Sequence, residues 1–272
     1  MEIAPDVHAV PIGEPKLMHP GGTNVYLVGQ RELTLIDTYE NRKRSPGRIL
    51  RYLKKLGNPT IVNIVMTHRH HDHIGGAIAI RAVTNAKLLA NQGTADEIQR
   101  AYGEAGVEVL TDGAEIRTDS GVIQAIHTPG HSPDHTCYFL PDRRLLFSGD
   151  TILGIGTTTI ESLSDYMRSL QRLQSLPIET ILPGHGPPMP EAAAKIEEYI
   201  NHRALREKQA IEQLSTGPKQ LREMVSAIYV GIPNKLHGAA RRNLGHHVQK
   251  LIDEGRVESF QKRSRTYYRL VA

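Results

Sequence analysis

Apolar residues come in short, strand-length runs through the first 190 positions and at helical spacing thereafter. Asn24-Val25-Tyr26-Leu27-Val28 and Leu33-Thr34-Leu35-Ile36-Asp37 are β-type runs joined by Gly29-Gln30-Arg31-Glu32, the pattern of a hairpin. Pro46 opens a helix over 47–56, and Gly57-Asn58-Pro59 stops it. The run Ile61-Val62-Asn63-Ile64-Val65 predicts a buried strand. Helix 74–82, strand 87–90 and helix 95–102 follow. Strand-type runs at 121–127, 136–140 and 145–148 are each closed by Pro, Gly or Asp, and helix 164–176 leads to a short strand at 180–182. Strands that alternate with helices and also form hairpins predict an α+β domain over 1–190, with two sheets sandwiched between helices.

From about 191 the period changes. One long amphipathic helix covers 191–214 and breaks at Ser215-Thr216-Gly217-Pro218. Helices over 220–229 and 236–254 come next, followed by strands at 257–260 and 266–270 flanking the polar turn 261–265. Residues 191–272 therefore predict a linker helix and a winged helix.

Composition narrows the class. With 39% hydrophobic and 23% charged residues among 272, the chain is globular, and no apolar run approaches the ~18 residues of a membrane span. The first residues, Met1-Glu2-Ile3-Ala4-Pro5-Asp6, lack the basic and apolar regions of a secretory signal. A single cysteine, Cys137, excludes an internal disulfide and suits a reducing compartment, so the expected location is cytoplasmic. The net charge of +4 is unevenly distributed. Residues 191–272 hold 15 Lys+Arg against 9 Asp+Glu, whereas residues 1–190 hold 18 against 20. A segregated basic region suits a polyanionic partner such as nucleic acid, or is simply a solvated surface.

The candidate chemistry sits directly after the strand at 61–65, where His68-Arg69-His70-His71-Asp72-His73 crowds four histidines and an aspartate into six positions. Imidazole and carboxylate are ligands for borderline divalent metals. In an extended segment His68 and His70 point to the same side, whereas the adjacent Asp72 and His73 cannot join them on one centre without a turn. The simplest geometry is two metal ions, one on each pair. Three further candidates, His131, Asp150 and His185, each follow a glycine at the end of an expected strand.

The order H-x-H-x-D-H, then His, Asp and His, resembles the metallo-β-lactamase superfamily over about residues 7–190. That resemblance implies an αββα sandwich with the site at one edge. It implies one zinc ion on His68, His70 and His131, a second on Asp72, His73 and His185, and Asp150 bridging the two. Manganese, iron or cobalt also suit such donors. Asp37 matches the family's first, non-ligand aspartate. The nucleophile implied is a bridging hydroxide, which places Asp72 and Asp150 in the catalytic set. A bridging Asp150 resembles the phosphoesterase, thioesterase and lactonase branches rather than β-lactamases proper. Only 35 positions separate Asp150 from His185, too few for the inserted domain of the large RNA-processing members.

Phe147-Ser148-Gly149-Asp150, Gly154-Ile155-Gly156-Thr157-Thr158, Pro183-Gly184-His185-Gly186-Pro187 and His202-Arg203 are similar to the β-lactamase-like protein 2 family. That similarity implies an endoribonuclease acting on single-stranded RNA. A small-molecule hydrolase for a lactone, thioester or phosphotriester is the alternative, and a nucleic-acid-binding protein with a vestigial site is a third class. The sequence leaves protein partners open.

Outside the ligand set, Gly156, Thr157 and Thr158 are candidates for holding a phosphate. His135 is a candidate proton donor to a leaving oxygen, or a hydrogen-bonder behind a ligand. Tyr166 and Met167 read as packing residues. In the basic region, Arg241 and Arg242 on one helix, with Lys262 and Arg263 at the wing tip, are candidate RNA contacts. Tyr267 and Tyr268 alternate in a strand, so at most one of them can stack on a base.

Overall fold

The computed structural model describes residues 1–13, 22–39, 44–103 and 106–271. Among these, seven strands form the first sheet in chain order: β1 (Glu2–Ala4), β2 (Val7–Ile12), β3 (Thr23–Val28), β4 (Glu32–Ile36), β5 (Thr60–Val65), β6 (Lys87–Ala90) and β7 (Val107–Val109). Strands β1 to β4 pair antiparallel, and β4 to β7 pair parallel. Parallel pairs need crossovers. These are α1 (Arg44–Lys55), then α2 (His71–Ile74) with α3 (Ala77–Thr84), then α4 (Gln92–Tyr102). The second sheet holds β8 (Glu115–Thr118), β9 (Gly121–His127), β10 (Thr136–Leu140), β11 (Leu145–Gly149) and β12 (Thr180–Pro183), in the order β12-β11-β10-β9-β8. Helix α5 (Leu163–Gln174) crosses between the parallel strands β11 and β12.

Side chains two apart share a face of a strand, and β3 shows the consequence. Tyr26 and Val28 point inward to meet Ile123, Ala125, Tyr138 and Phe147 of the second sheet. Val25 and Leu27 point outward, against Ile49 and Leu53 of α1 and Ala77 and Ile80 of α3. The outer face of the second sheet, through Cys137, Phe139 and Leu146, packs on Tyr166, Leu170 and Leu173 of α5 and on Ile196 and Tyr199 of α6 (Ala192–Ser215). Both sheets are therefore covered on both faces, which is why β3 and β10 read as continuous apolar runs. The result is an αββα sandwich.

Helix α6 continues into a separate cluster. Its Ala210 and Leu214 pack with Met224 and Val225 of α7 (Leu221–Ile228), with Leu244, Val248 and Leu251 of α8 (His237–Asp253), and with Val257 of a two-stranded wing, β13 (Val257–Lys262) and β14 (Arg265–Leu270). One helix thus contributes to two cores. No described helix is long and apolar enough to cross a membrane.

Several elements differ from the expectation. Strands β1, β2, β7 and β8 were not expected. In β2, Pro11 interrupts the pattern, yet pairing on the β1 side ends at Ala9, which bonds to Met1, so Pro11 faces no partner on that side. Strands β7 and β8 are three and four residues long, too short for alternation to register. The helix expected over 74–82 is two helices, broken at Gly75-Gly76. Helix α4 starts at Gln92, three residues early, because the Asn91 side chain accepts from the Gly93 amide at 3.0 Å. The wing turn is tighter than 261–265: Lys262 pairs with Arg265, leaving Arg263 and Ser264 at φ 49° and 60°. A turn of that kind normally announces itself with Asn or Gly, and here it does not.

Candidate metal centre

The candidate ligands all emerge at one edge of the sandwich, just past strand ends. His68 and His70 follow β5, His131 follows β9, Asp150 follows β11 and His185 follows β12. The single turn of α2 carries Asp72 and His73 away from the extended His68-Arg69-His70 segment. Two groups result: His68, His70, His131 and Asp150, and Asp72, His73 and His185, with the donor atoms inside each group within 4.8 Å of one another.

In the first group the Nδ1 of His70 lies 2.9 Å from Nε2 of His68 and 3.0 Å from Nε2 of His131. Both outer rings are held from behind. His131 Nδ1 donates to the Thr159 carbonyl at 2.8 Å, so its proton sits there and Nε2 is a bare lone pair. The Thr67 hydroxyl donates to Asp37 Oδ2 at 2.9 Å and therefore accepts from His68 Nδ1 at 3.0 Å. Three ring nitrogens thus converge where at most one proton can serve them.

In the second group His73 Nδ1 is 2.7 Å from Asp37 Oδ2, and His185 Nδ1 donates to the Gly22 carbonyl at 2.7 Å. Their Nε2 atoms each lie 3.4 Å from Asp150 Oδ1, and His185 Nε2 is 3.3 Å from Asp72 Oδ2. Asp150 Oδ2 lies 3.8 Å from His131 Nε2, so this one carboxylate reaches both groups.

These residues fit divalent metal ions. His73 Nε2 and Asp150 Oδ1 are buried and face each other at 3.4 Å without a well-formed hydrogen bond, among the other candidate ligand atoms. The electrostatics divide in the same way. Burial drives the His131 imidazole down to about 4 and pushes His68 and His70 down too, so the three imidazoles of the first group are neutral and keep lone pairs to offer. Burial also opposes charge on His185, yet Asp150 and Asp72 outweigh it and raise that imidazole to about 9. Burial alone would raise the Asp72 carboxyl, but His73 and His185 hold it below the usual carboxylate range. Cations could replace the protons of the second group and fill the lone pairs of the first.

The remaining candidates fall in different places. His135 is fully buried. Its Nε2 accepts from the Asp150 amide at 3.1 Å, and its Nδ1 lies 3.0 Å from Thr128 Oγ1 and 3.1 Å from Thr151 Oγ1. Both ring nitrogens are thus engaged by the Asp150 amide and by two threonine hydroxyls, so the ring sits behind Asp150 with neither nitrogen free. Thr158 is also buried, its hydroxyl 2.8 Å from His131 Nδ1, which sets it against a ligand rather than at the cleft. Gly156 and Thr157 are exposed. Arg241, Arg242, Lys262 and Arg263 are all exposed on the C-terminal domain. Tyr268 packs into that domain's core, while Tyr267 stacks on Phe260 at 5.9 Å. Tyr166 packs in a core as expected and also donates to the Thr151 carbonyl at 2.6 Å.

Sequence reasoning missed the residues that hold the loops. Asp134 accepts from the Arg69 amide at 2.7 Å and from Thr94 at 2.6 Å, pinning the segment between His68 and His70. Asn24 and Tyr26 donate to the Pro183 carbonyl at 3.0 and 2.7 Å, fixing the turn before His185. The available signal was weak: a lone Asp or Asn, 65 or 159 residues from its partner.

Glycine at 184 has a specific cause. A Cβ there would lie 2.7 Å from Asp150 Oδ1 and 2.8 Å from His73 Cε1. Gly184→Ala is expected to weaken metal binding about 10–100-fold, the scale of disturbing groups that orient ligands. Competition with a chromophoric chelator measures it, and unchanged affinity would show that the carboxylate has room to move.

Residues 19–185 match the Metallo-beta-lactamase superfamily, and residues 221–264 match the Beta-lactamase associated winged helix domain. The chain is 33% identical over 273 residues to the Beta-lactamase-like protein 2 homolog of Drosophila melanogaster, covering 93% of this chain and 90% of that protein. It is 30% identical over 244 residues to the Atrochrysone carboxyl ACP thioesterase of Aspergillus fumigatus, covering 85% and 76%. The crystal structure of a metallo-beta-lactamase family protein from Thermus thermophilus shares the fold, with a TM-score of 0.81 at 21% identity over 99% of this chain and 100% of that one. A family match over more than half of its residues, together with a relative 33% identical along nearly all of them, makes this chain a member of the metallo-beta-lactamase superfamily.

Proposed function

We propose that the protein is a dinuclear zinc hydrolase that cleaves phosphodiester bonds in single-stranded RNA. The observation carrying this reading is the contact between the C-terminal domain and the rim of the ligand groups. Asn243 of α8 accepts from the Ile160 amide at 3.4 Å, immediately after the Thr158-Thr159 segment that holds His131. That contact sets a helix with exposed Arg241 and Arg242 beside the site. Metal ions in the two groups would supply Lewis acidity to a water and to a phosphoryl oxygen.

The chain's own residues do the rest. His68, His131, His73 and His185 present Nε2 atoms whose tautomers are set from behind, and Asp150 lies between the groups. Arg241, Arg242, Lys262 and Arg263 would pair with phosphates, and the exposed Gly156 and Thr157 would contact the strand near the cleavage point. On the wing, Phe260 and Tyr267 stack, with the Arg269 guanidinium 5.1 Å over Phe260, a platform suited to an unpaired base. Reversing two charges in Lys262→Glu/Arg263→Glu is expected to lower RNA affinity about tenfold and to flatten the salt dependence of log K by about 1.4, at about 0.7 per phosphate contact on a single strand. Fluorescence anisotropy over a salt series reads both values. A cytoplasmic location accompanies this reading, since a single cysteine forms no internal disulfide and suits a reducing compartment.

A second reading, hydrolysis of a thioester or other small ester, is favoured by a cavity of about 330 Å³ bordering Thr159. Leu153, Ile155, Tyr229, Ile232, Leu236 and Ala240 line it, an apolar wall suited to an acyl or aromatic group. The relative from Aspergillus fumigatus is named a thioesterase. Zinc-loaded protein offered labelled single-stranded RNA alongside a panel of acyl thioesters and lactones separates the two. Chelator-sensitive RNA cleavage is expected; thioester turnover without it would sink the nuclease reading.

A further inference from the structure

Arg203 is a buried charge without an ordinary reason to be there. It lies on α6, 2% exposed, and makes no ion pair with a described carboxylate. Burying a lone guanidinium is costly unless dipoles or rings replace the lost water. Here Nη2 donates to the Thr158 carbonyl at 2.8 Å, and the guanidinium lies 5.2 Å over the Tyr166 ring.

The acceptor is informative. Thr158 places its hydroxyl 2.8 Å from His131 Nδ1, and the next carbonyl, that of Thr159, takes the His131 proton at 2.8 Å. Two successive carbonyls are thus engaged, one by Arg203 and the other by the imidazole. One helical turn earlier, on the same face of α6, the Tyr199 hydroxyl accepts from the Leu153 amide at 3.0 Å and lies 3.0 Å from the Gly156 carbonyl. Tyr166 takes the Thr151 carbonyl. The segment 151–158 is therefore held at its carbonyls by three side chains from α5 and α6, and Arg203 binds the one next to the ligand.

We propose that Arg203 is a positioning residue for His131: it locks the Thr158-Thr159 peptide, and so sets the metal affinity of the three-histidine group from the helix that also carries the C-terminal domain. This rests on the reading of His131 as a metal ligand. If Arg203 only filled space, an apolar side chain of similar length would serve. If it positions His131, that exchange should keep the fold and spoil the site.

The test uses the full-length chain with zinc alone as probe, and reads wild type, Arg203→Met and Arg203→Lys by chelator competition and by metal-free thermal unfolding. Wild type is expected to take two zinc ions. Arg203→Met should unfold within a few degrees of the wild-type temperature, because losing a buried charge that has no carboxylate partner offsets the Thr158 carbonyl it leaves without a donor. One zinc-binding step should weaken about 10–100-fold and the other should be unchanged. Arg203→Lys, which keeps the charge without the planar fork, should recover part of the loss and covers the case in which the methionine variant does not fold. A cobalt(II) absorption spectrum altered in one of its two steps would agree. Two unchanged binding steps in either folded variant would overturn the inference, as would an equal weakening of both steps in parallel with a fall in unfolding temperature. Failure of wild type to bind zinc would instead remove the metal reading itself, and this inference with it.

Discussion

Asp150→Ala is expected to lower metal-dependent kcat/KM by at least about 10³-fold while leaving the protein folded. Asp150 is the carboxylate that reaches both groups, with Oδ1 3.4 Å from the Nε2 atoms of His73 and His185 and Oδ2 3.8 Å from that of His131. In the metal-free protein that carboxylate is ion-paired with both imidazoles, so the variant should also lose some stability, but the hydrophobic cores away from the site keep it folded. The link to His135 runs through the Asp150 backbone amide and survives the substitution. Steady-state kinetics on the substrate identified, with bound metal counted by elemental analysis, provide the measurement. Wild-type turnover in the alanine variant would mean that the chemistry happens elsewhere or comes from a contaminant.

Stripping the metal should lower Tm by roughly 10 °C without unfolding the protein at 25 °C. An ion present at about 1,000 times its Kd stabilises by about 4 kcal/mol, and a chain of this size shifts by about 2–4 °C per kcal/mol. The metal-free fold should persist because its cores lie away from the site: between the sheets, beneath each helical layer, and within the C-terminal domain. Each fully buried Leu, Ile or Phe there contributes roughly 1.5–3 kcal/mol. The sign with pH follows from His185. Its imidazole, raised to about 9 without metal, must lose its proton for an ion to bind, so affinity should climb as pH rises toward that value. Calorimetry with and without chelator, and zinc affinity at pH 6, 7 and 8, would show this. A Tm shift under about 2 °C, or affinity independent of pH, would count against metal ions held by these side chains.

Much of the fold was legible because its strands are covered on both faces, so β3, β5 and β10 appear as apolar runs. Pro11 hid β2, and the brevity of β7 and β8 hid them. The two ligand groups were legible for a local reason. His68 and His70 are two apart in extended chain, and a break was needed before Asp72 and His73 could serve another centre; α2 supplies it. His135 was legible as chemistry but not as a role. Only the placement of its Nε2 on the Asp150 amide separates an orienting ring from a proton donor. Thr158 is similar: a threonine in a Gly-rich loop suggests a phosphate contact, and its buried hydroxyl against His131 says otherwise.

The candidate donors, their order and their position at strand ends can be read from the residues alone, because strand period and glycine turns are properties of a few consecutive residues. What stands behind each donor was decided only by the tertiary structure. Asp37 reaches His73 across 36 residues, Arg203 reaches Thr158 across 45, and Asn24 reaches Pro183 across 159. Those pairings depend on which strand ends meet when two sheets pack. That is set by burial summed over the whole sandwich, and no local pattern of residues carries it.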